Sequence, residues 1–423
     1  MKKISNPRIA VIGLGYVGLP LAVEFSKFFK VVGFDLKLKR INDLKKKIDE
    51  TKEISSKRLK NIKNNIIFTN NINLIKNCNI FIITVPTPIN FNKKPDLSAL
   101  IFATKLVSEV LKKNDVVVYE STVFPGCTEE ICVPILEKFS KLRLNKDFYC
   151  GYSPERINPG DKLRNIRQIN KLVSGSNYKA LNKIYYLYKK IIKADVIKVK
   201  TIKIAEGAKI IENTQRDLNI ALINEFLKIF QKLNINFSEV LKAACTKWNF
   251  LNFEPGLVGG HCIGVDPYYL AEKSRQIGYN TKLILAGRKL NDGMSKFYFN
   301  IFLKEFKKKF NTIKNKNILV MGLSFKENVP DIRNSKSFDI IRYLKKKKFN
   351  VFCYDNNVDK KSLKDSYKIN AINKIKKNYY HGIIIIVKHS SFNFIKGKIE
   401  TFLKKNGVIL DIKNFLGKNK III

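Results

Sequence analysis

Arg8-Ile-Ala-Val-Ile12 is a short apolar strand, and Gly13-Leu-Gly-Tyr-Val-Gly18 follows it without a break. The glycine run opens a helical segment, Leu19–Phe29, and a second strand, Val31–Phe34, ends at Asp35, 22 residues after Gly13. Strand, GxGxxG, helix, strand and acid in that order leave few folds open, and all of them begin with a βαβ unit of parallel strands. The glycines allow a tight turn and let backbone approach a pyrophosphate, whose charge the helix N-terminus receives. The acid takes a ribose hydroxyl and repels a 2′-phosphate, which predicts NAD rather than NADP. Gly13, Gly15, Tyr16, Val17, Gly18 and Asp35, with Arg40 just beyond, are the expected cofactor contacts.

The alternation of strand and helix continues. Ile80–Val85 is a strand running into Pro86-Thr-Pro88, Asp96–Leu111 is helical, and Asp115–Glu120 is a strand ending in Ser121-Thr-Val-Phe-Pro-Gly126. Phe148–Tyr152 then runs into Ser153-Pro-Glu-Arg-Ile-Asn-Pro-Gly160. Three successive strands therefore bring polar, proline-punctuated loops to the carboxyl edge of one parallel sheet, where ligands collect. Pro86, Thr87 and Thr122 join the expected cofactor contacts there.

Beyond Thr201 the pattern changes. Ile204–Leu233 runs thirty residues without proline, and Lys209 and Asn213 share one helix face at i, i+4. A helix at Phe237–Cys245 leads to Trp248 and the stretch Gly259-Gly-His-Cys-Ile-Gly-Val-Asp266, in which Cys262 sits among glycines. Thiolate is a good nucleophile toward carbonyl carbon when a cation or a helix end lowers the thiol pKa. Lys282–Lys309 forms another long helix, carrying Arg288. A further βαβ pattern follows: strand Asn317–Met321, turn Gly322-Leu-Ser-Phe-Lys326, helix Ser337–Lys346 and strand Asn350–Tyr354 ending at Asp355, with strands Ile383–Val387 and Val408–Ile412 beyond. It lacks a full GxGxxG, so it suits a mononucleotide-sized ligand rather than a second NAD.

At 423 residues the chain exceeds a single core. The reading is an α/β protein of three parts: a Rossmann domain at 1–200, a central long-helix domain at 201–312 bearing the cysteine loop and an expected dimer interface, and a smaller Rossmann-like domain at 313–423. Seven cysteines without a CxxC pair and three histidines exclude a zinc cluster and a disulfide framework, and imply a reducing compartment. No metal is expected. No apolar run reaches the length of a membrane span, and no small-x-small cleavage site follows the Ile9–Val23 run, so a cytoplasmic protein is expected. The net charge of +45 comes from scattered lysines such as Lys45–Lys47 and Lys345–Lys348, which read as solvated helix faces. With no aromatic-interleaved basic stripe, a nucleic-acid regulator is the weaker reading.

Gly13-Leu-Gly-Tyr-Val-Gly-Leu-Pro20, Val85-Pro-Thr-Pro88, Ser121-Thr122, Ser153-Pro-Glu-Arg156, Lys209-x-x-x-Asn213, Gly259-Gly-His-Cys-Ile-Gly-Val-Asp266 and Gly322-Leu-Ser-Phe-Lys326 occur in one order. In that order the chain resembles the nucleotide-sugar 6-dehydrogenases, enzymes similar to UDP-glucose dehydrogenase, over essentially its whole length. Its closest resemblance is to the UDP-N-acetylhexosamine branch that supplies uronic acids for surface polysaccharides. The UDP-glucose enzymes place a second glutamate four residues after the first, whereas here Glu155 is followed by Arg156 and, four residues on, Pro159. The resemblance implies a four-electron oxidation at C6 in which Cys262 captures an aldehyde. It further implies that Lys209 and Asn213 stabilise the oxyanion, that Asp266 handles the water, and that Thr122 and Glu155 complete the proton path. By the same resemblance Glu155, Arg156, Lys209, Asn213, Gly259, Gly260, Arg288, Phe325, Lys326 and Arg333 contact the UDP-sugar. The gluco, galacto and manno epimers all fit these motifs, UDP-glucose less well. A two-electron hydroxyacid-type dehydrogenase is the rival, and a homodimer or higher assembly is expected.

Overall fold

The computed structural model describes residues 6–62, 65–158 and 165–417; Pro159 and Gly160 of the Ser-Pro-Glu-Arg loop lie outside them. The chain divides into two compact units, Met1–Asn213 with Val265–Asn280, and Thr214–Gly264 with Thr281–Ile423.

The first unit is built on eight strands: β1 Arg8–Ile12, β2 Lys30–Phe34, β3 Ile66–Thr69, β4 Ile80–Ile83, β5 Val116–Tyr119, β6 Tyr149–Tyr152, β7 Lys171–Gly175 and β8 Val196–Lys198. They lie in the order β3-β2-β1-β4-β5-β6-β7-β8. Every pairing is parallel except β6 with β7, a departure from the parallel sheet that the alternation of elements predicts. β4, β5 and β6 are buried along their length, which is why they read as unbroken apolar runs. Their side chains alternate between two cores. Ile80, Ile82, Val116 and Val118 pack with Leu21, Phe25 and Tyr188 on one face. Phe81, Ile83, Val117 and Tyr119 pack with Leu100, Val107 and Leu136 on the other.

The boundaries differ from expectation where a polar group ends an element. β4 stops at Ile83 rather than Val85 because the Thr84 hydroxyl turns back to the carbonyls of Ile12 (3.0 Å) and Gly13 (2.7 Å). The first helix spans Gly18–Phe25, and Ser26, whose hydroxyl bonds the Val23 carbonyl at 2.8 Å, closes it before Phe29. The helix predicted at Asp96–Leu111 is Ser98–Ser108. The long helix is Ile202–Lys232, 31 residues, within two residues of its expected start.

In the second unit, β9 Asn317–Met321, β10 Asn350–Tyr354, β11 Tyr380–Ile385 and β12 Leu403–Asp411 form a parallel sheet ordered β10-β9-β11-β12. The helix Lys282–Lys309 packs its aromatic face, Tyr298, Phe302 and Phe306, into the core of that sheet. Helix Ser337–Lys346 falls on its predicted bounds. Among the described residues no helix is long and apolar enough to cross a membrane.

Gly18 is the tightest point of the first turn. A Cβ there would stand 1.9 Å from the Gly13 carbonyl oxygen and 2.4 Å from the Thr84 hydroxyl, whereas a Cβ on Gly15 meets nothing within 4 Å. Gly18→Ala is therefore expected to cost about 1–3 kcal/mol of overpacking. Gly15→Ala stays within about 0.5 kcal/mol of the parent. Urea denaturation of the two variants side by side checks the pair.

Candidate active site

In the first unit, the glycine turn is held from both sides. Gly13, at φ +94°, donates its N–H to the Phe34 carbonyl at 2.8 Å, and Leu14 N–H donates to Asp35 Oδ2 at 2.9 Å. Asp35 Oδ1 accepts from Lys37 N–H at 2.9 Å, and each oxygen keeps a lone pair for a further donor. Arg40 is buried; its Nε donates to the Leu14 carbonyl at 2.9 Å and Nη1 lies 2.8 Å from Asp49. The structure thus places Arg40 behind the turn as its brace. Gly15 is exposed, Tyr16 and Val17 are half-buried, and the helix Gly18–Phe25 has no side-chain cap on its first N–H groups. An uncapped helix start beside an open glycine fits a diphosphate.

The neighbouring loops are tied together. The Thr87 hydroxyl donates to the Thr122 carbonyl at 2.7 Å, and the Ser121 hydroxyl to the Val85 carbonyl at 2.6 Å. Pro86 is exposed at this edge and Thr122 is half-buried.

Asp266 is the first residue of helix Asp266–Gln276 and is 1% exposed. The Asn213 amide donates to its Oδ2 at 2.5 Å. Burial pushes the Asp266 carboxyl up to about 7, opposed by the Lys209 ammonium and by the Asn213 hydrogen bond. Sequence spacing put Lys209 and Asn213 on one face; the structure adds Asp266 to that face as a buried acid poised at neutrality. One turn earlier, buried Glu206 accepts from Gly126 N–H (2.6 Å) and Thr128 N–H (2.9 Å), which ties the loop after β5 to the same helix.

Glu155 is also buried. Its Oε1 accepts from the backbone N–H of Arg156 (2.6 Å) and Ile157 (2.7 Å), and its Oε2 lies 2.8 Å from Lys171 Nζ. Lys171, 3% exposed in its side chain, bonds Glu120 Oε2 at 2.8 Å as well, and the Tyr188 hydroxyl donates to Glu120 Oε1. Burial raises the Glu155 carboxyl, but Lys171 and the two amides outweigh it and hold the group below the usual range. Glu120, equally buried, is pushed up to about 7. Arg156 forms an ion pair with Glu212 and donates to the Asn170 carbonyl at 3.3 Å, so the loop is anchored to the residue beside Asn213.

In the second unit, the cysteine loop is fixed through its glycines. Asn224 donates to the Gly256 carbonyl (3.0 Å) and accepts its N–H (2.8 Å). Gly260, at φ +82°, lies against the Phe325 ring, where a Cβ would approach to 2.6 Å, and Asn334 bonds its carbonyl at 3.2 Å. A Cβ on Gly259 would come within 2.9 Å of the Asn334 carbonyl. Cys262 is half-exposed. A pocket of about 300 Å³ is lined by Arg216, Leu257, Gly259, Ile263, Phe325 and Lys326, with Lys413 on its rim. Phe325 and Lys326 therefore share a wall with the cysteine loop. Arg288 and Arg333 are engaged by carboxylates: buried Arg288 bonds Asp217 (2.5 Å) and Asp292 (2.6 Å), and Arg333 forks onto Asp331 (2.6 and 3.0 Å). His261 stands edge-on to Phe325, its Nδ1 3.6 Å from Asp331.

Three family models match the chain in succession: the NAD binding domain of the UDP-glucose/GDP-mannose dehydrogenase family at residues 7–192, its central domain at 203–293 and its UDP binding domain at 319–418. The chain belongs to the UDP-glucose/GDP-mannose dehydrogenase family. It is 50% identical over 418 residues to a UDP-N-acetyl-D-glucosamine 6-dehydrogenase of Pseudomonas aeruginosa, covering 99% of both chains. It is likewise 50% identical to the enzyme of that name from Salmonella typhi, over 98% of this chain and 97% of the relative. A solved UDP-D-ManNAc dehydrogenase from Pyrococcus horikoshii superposes with a TM-score of 0.85 at 30% identity, covering 96% of each chain. The protein is an NAD-dependent nucleotide-sugar dehydrogenase.

Sequence reasoning missed Lys171, Glu120, Arg216 and Lys413. Lys413 carried a usable signal, since it follows β12 at the carboxyl edge of a parallel sheet. Lys171 carried none, because its partners lie 51 and 16 residues away. Lys171→Met would leave two buried carboxyls without their cation and is expected to cost about 3–5 kcal/mol near neutrality. The loss should shrink as pH falls and the carboxyls take up protons, which denaturant titrations at acid and neutral pH would read.

Proposed function

We propose that this chain oxidises the C6 hydroxyl of a UDP-N-acetylhexosamine to the carboxylate through a covalent intermediate on Cys262, in the cytoplasm, for surface-polysaccharide synthesis. The observation that carries the reading is the buried Asp266 carboxyl, poised near neutrality against Lys209 and Asn213 and only four residues along the chain from the thiol. In support of an N-acetylated sugar stand the Ser-Pro-Glu-Arg loop and the identity to relatives named UDP-N-acetyl-D-glucosamine 6-dehydrogenase. Residues 1–200 would serve the cofactor, 201–312 the chemistry and 313–423 the uridine diphosphate.

Bound NAD supplies the hydride acceptor, and four electrons call for two NAD per sugar. The C6 alcohol first loses a hydride and its hydroxyl proton, leaving an aldehyde. The Cys262 sulfur adds to the carbonyl carbon and forms a thiohemiacetal, which keeps the aldehyde from diffusing away. Lys209 and Asn213 stabilise the negative oxygen by charge and hydrogen bond. Loss of a second hydride and the hydroxyl proton gives a thioester; water then attacks, passing its proton toward Asp266, and the thiol leaves. Glu155, kept ionised by Lys171, and Thr122 extend the proton path. Phe325, Lys326, Arg333 and the loop glycines Gly259 and Gly260 receive the nucleotide half, with Arg288 reaching the substrate phosphates.

A homodimer is part of this proposal. Ile204, Ile211, Leu222 and Ile229 recur at intervals of 7, 11 and 7 residues along helix Ile202–Lys232 and are all exposed, a stripe that a second copy would cover.

Cys262→Ser is expected to form uronate at less than about one-thousandth of the parental rate. The parent should release two NADH per uronate, and a ratio of one would favour the two-electron hydroxyacid-type reading. With Asp266 as base, kcat should rise with pH through about 7. Asp266→Asn should lower kcat by about 10²–10⁴-fold and remove that limb, which a steady-state pH profile checks.

A further inference from the structure

Of the chain's three histidines, His389 alone is fully buried. It follows β11. Its Nδ1 accepts the backbone N–H of Asn328 at 2.9 Å. A nitrogen that accepts from an amide carries no proton, so the proton of the neutral ring sits on Nε2. Nε2 lies 3.1 Å from Asp355 Oδ2 and 3.2 Å from the Ser324 hydroxyl. Serine, histidine and aspartate together suggest a hydrolytic triad, but the tautomer excludes it. Nε2 is a donor here, and the Ser324 hydroxyl gives its own proton to the Lys326 carbonyl at 2.7 Å.

The contacts have one object. Asp355 Oδ2 also accepts the N–H of Leu323 at 2.7 Å, and its Oδ1 that of Asn357 at 2.8 Å. The Asn328 side chain accepts from Ser390 N–H and hydroxyl, each at 2.9 Å, which locks the turn to the residue after His389. Residues 323–328 are thus held at the start by Asp355 and at the end by His389. Between those ends lie Phe325 and Lys326, on the wall of the 300 Å³ pocket. We propose that His389, as the neutral Nε2–H tautomer, is a positioning residue for the uridine diphosphate half of the substrate, fixing the turn that carries Phe325 and Lys326. The proposal rests on the reading of this pocket as the UDP site.

Asn and Gln separate its two bonds. The Asn amide oxygen can take the place of Nδ1, and the Gln amide nitrogen that of Nε2. Calorimetric titration with UDP should show His389→Gln, which removes the acceptor that pins the Asn328 N–H at the end of the turn, weakened about tenfold or more. His389→Asn should stay within about threefold of the parent, and both should keep the parental affinity for NAD. In turnover the Gln variant should show the loss in KM for the sugar nucleotide, with kcat little changed. Nitrogen-15 spectra of the parent should show unprotonated Nδ1 and protonated Nε2 for His389. A Gln variant that binds UDP as well as the parent, an Asn variant that loses as much as Gln, an equal loss of NAD affinity, or a proton on Nδ1 would each overturn the proposal. A parent that binds no UDP would instead sink the reading of the pocket itself, and this inference with it.

Discussion

One helix carries a row of buried and half-buried polar side chains, and the candidate chemistry depends on how each is satisfied. Glu206, Lys209, Asn213, Asp217 and Asn224 follow one another at intervals of three, four, four and seven residues along Ile202–Lys232. An unpaired buried polar group costs free energy comparable to a lost hydrogen bond or more, so such a row persists only where every member has a partner. Glu206 holds the loop after β5, Asn213 and Lys209 hold Asp266, Asp217 holds Arg288 and Asn291, and Asn224 holds Gly256 of the cysteine loop. Each of these side chains ties a loop or a helix start of its own unit to the helix. A thirty-residue proline-free stretch is what such a helix requires.

The two βαβ turns solve one problem in the same way. In each, a glycine at positive φ (Gly13, +94°; Gly322, +84°) follows the first strand, and an aspartate ending the second strand accepts the N–H just after the glycine. In each, a buried basic side chain braces the turn: Arg40 on the Leu14 carbonyl, His389 on the Asn328 amide. The difference lies in what the turn exposes. The first leaves an uncapped helix start beside an open Gly15, suited to a diphosphate; the second presents Phe325 and Lys326, suited to a base or sugar face and a phosphate.

Much of this was legible in the sequence because it is periodic or local. The GxGxxG turn, the strands of the second sheet and the helices Lys282–Lys309 and Ser337–Lys346 announce themselves by apolar spacing and glycine. The i, i+4 pair Lys209 and Asn213 is local for the same reason. The antiparallel step from β6 to β7 was not legible, since nothing in Lys171–Gly175 fixes its direction. Nor were the Lys171, Glu120 and Glu155 cluster or the His389 brace, whose partners lie far away in sequence. The carboxylate partners of Arg40 and Arg288, Asp49 and Asp217, are likewise visible only in three dimensions.

The account turns on a covalent bond between Cys262 and the C6 carbon of the sugar. Acid quenching of the enzyme during turnover of UDP-N-acetylglucosamine with NAD, followed by digestion and mass analysis of the peptides, reads that bond directly. The account predicts a sugar-nucleotide adduct on the peptide bearing Cys262 and on none of the other six cysteines. Uronate accumulating while every cysteine peptide keeps its unmodified mass, or an adduct on another cysteine, would contradict it.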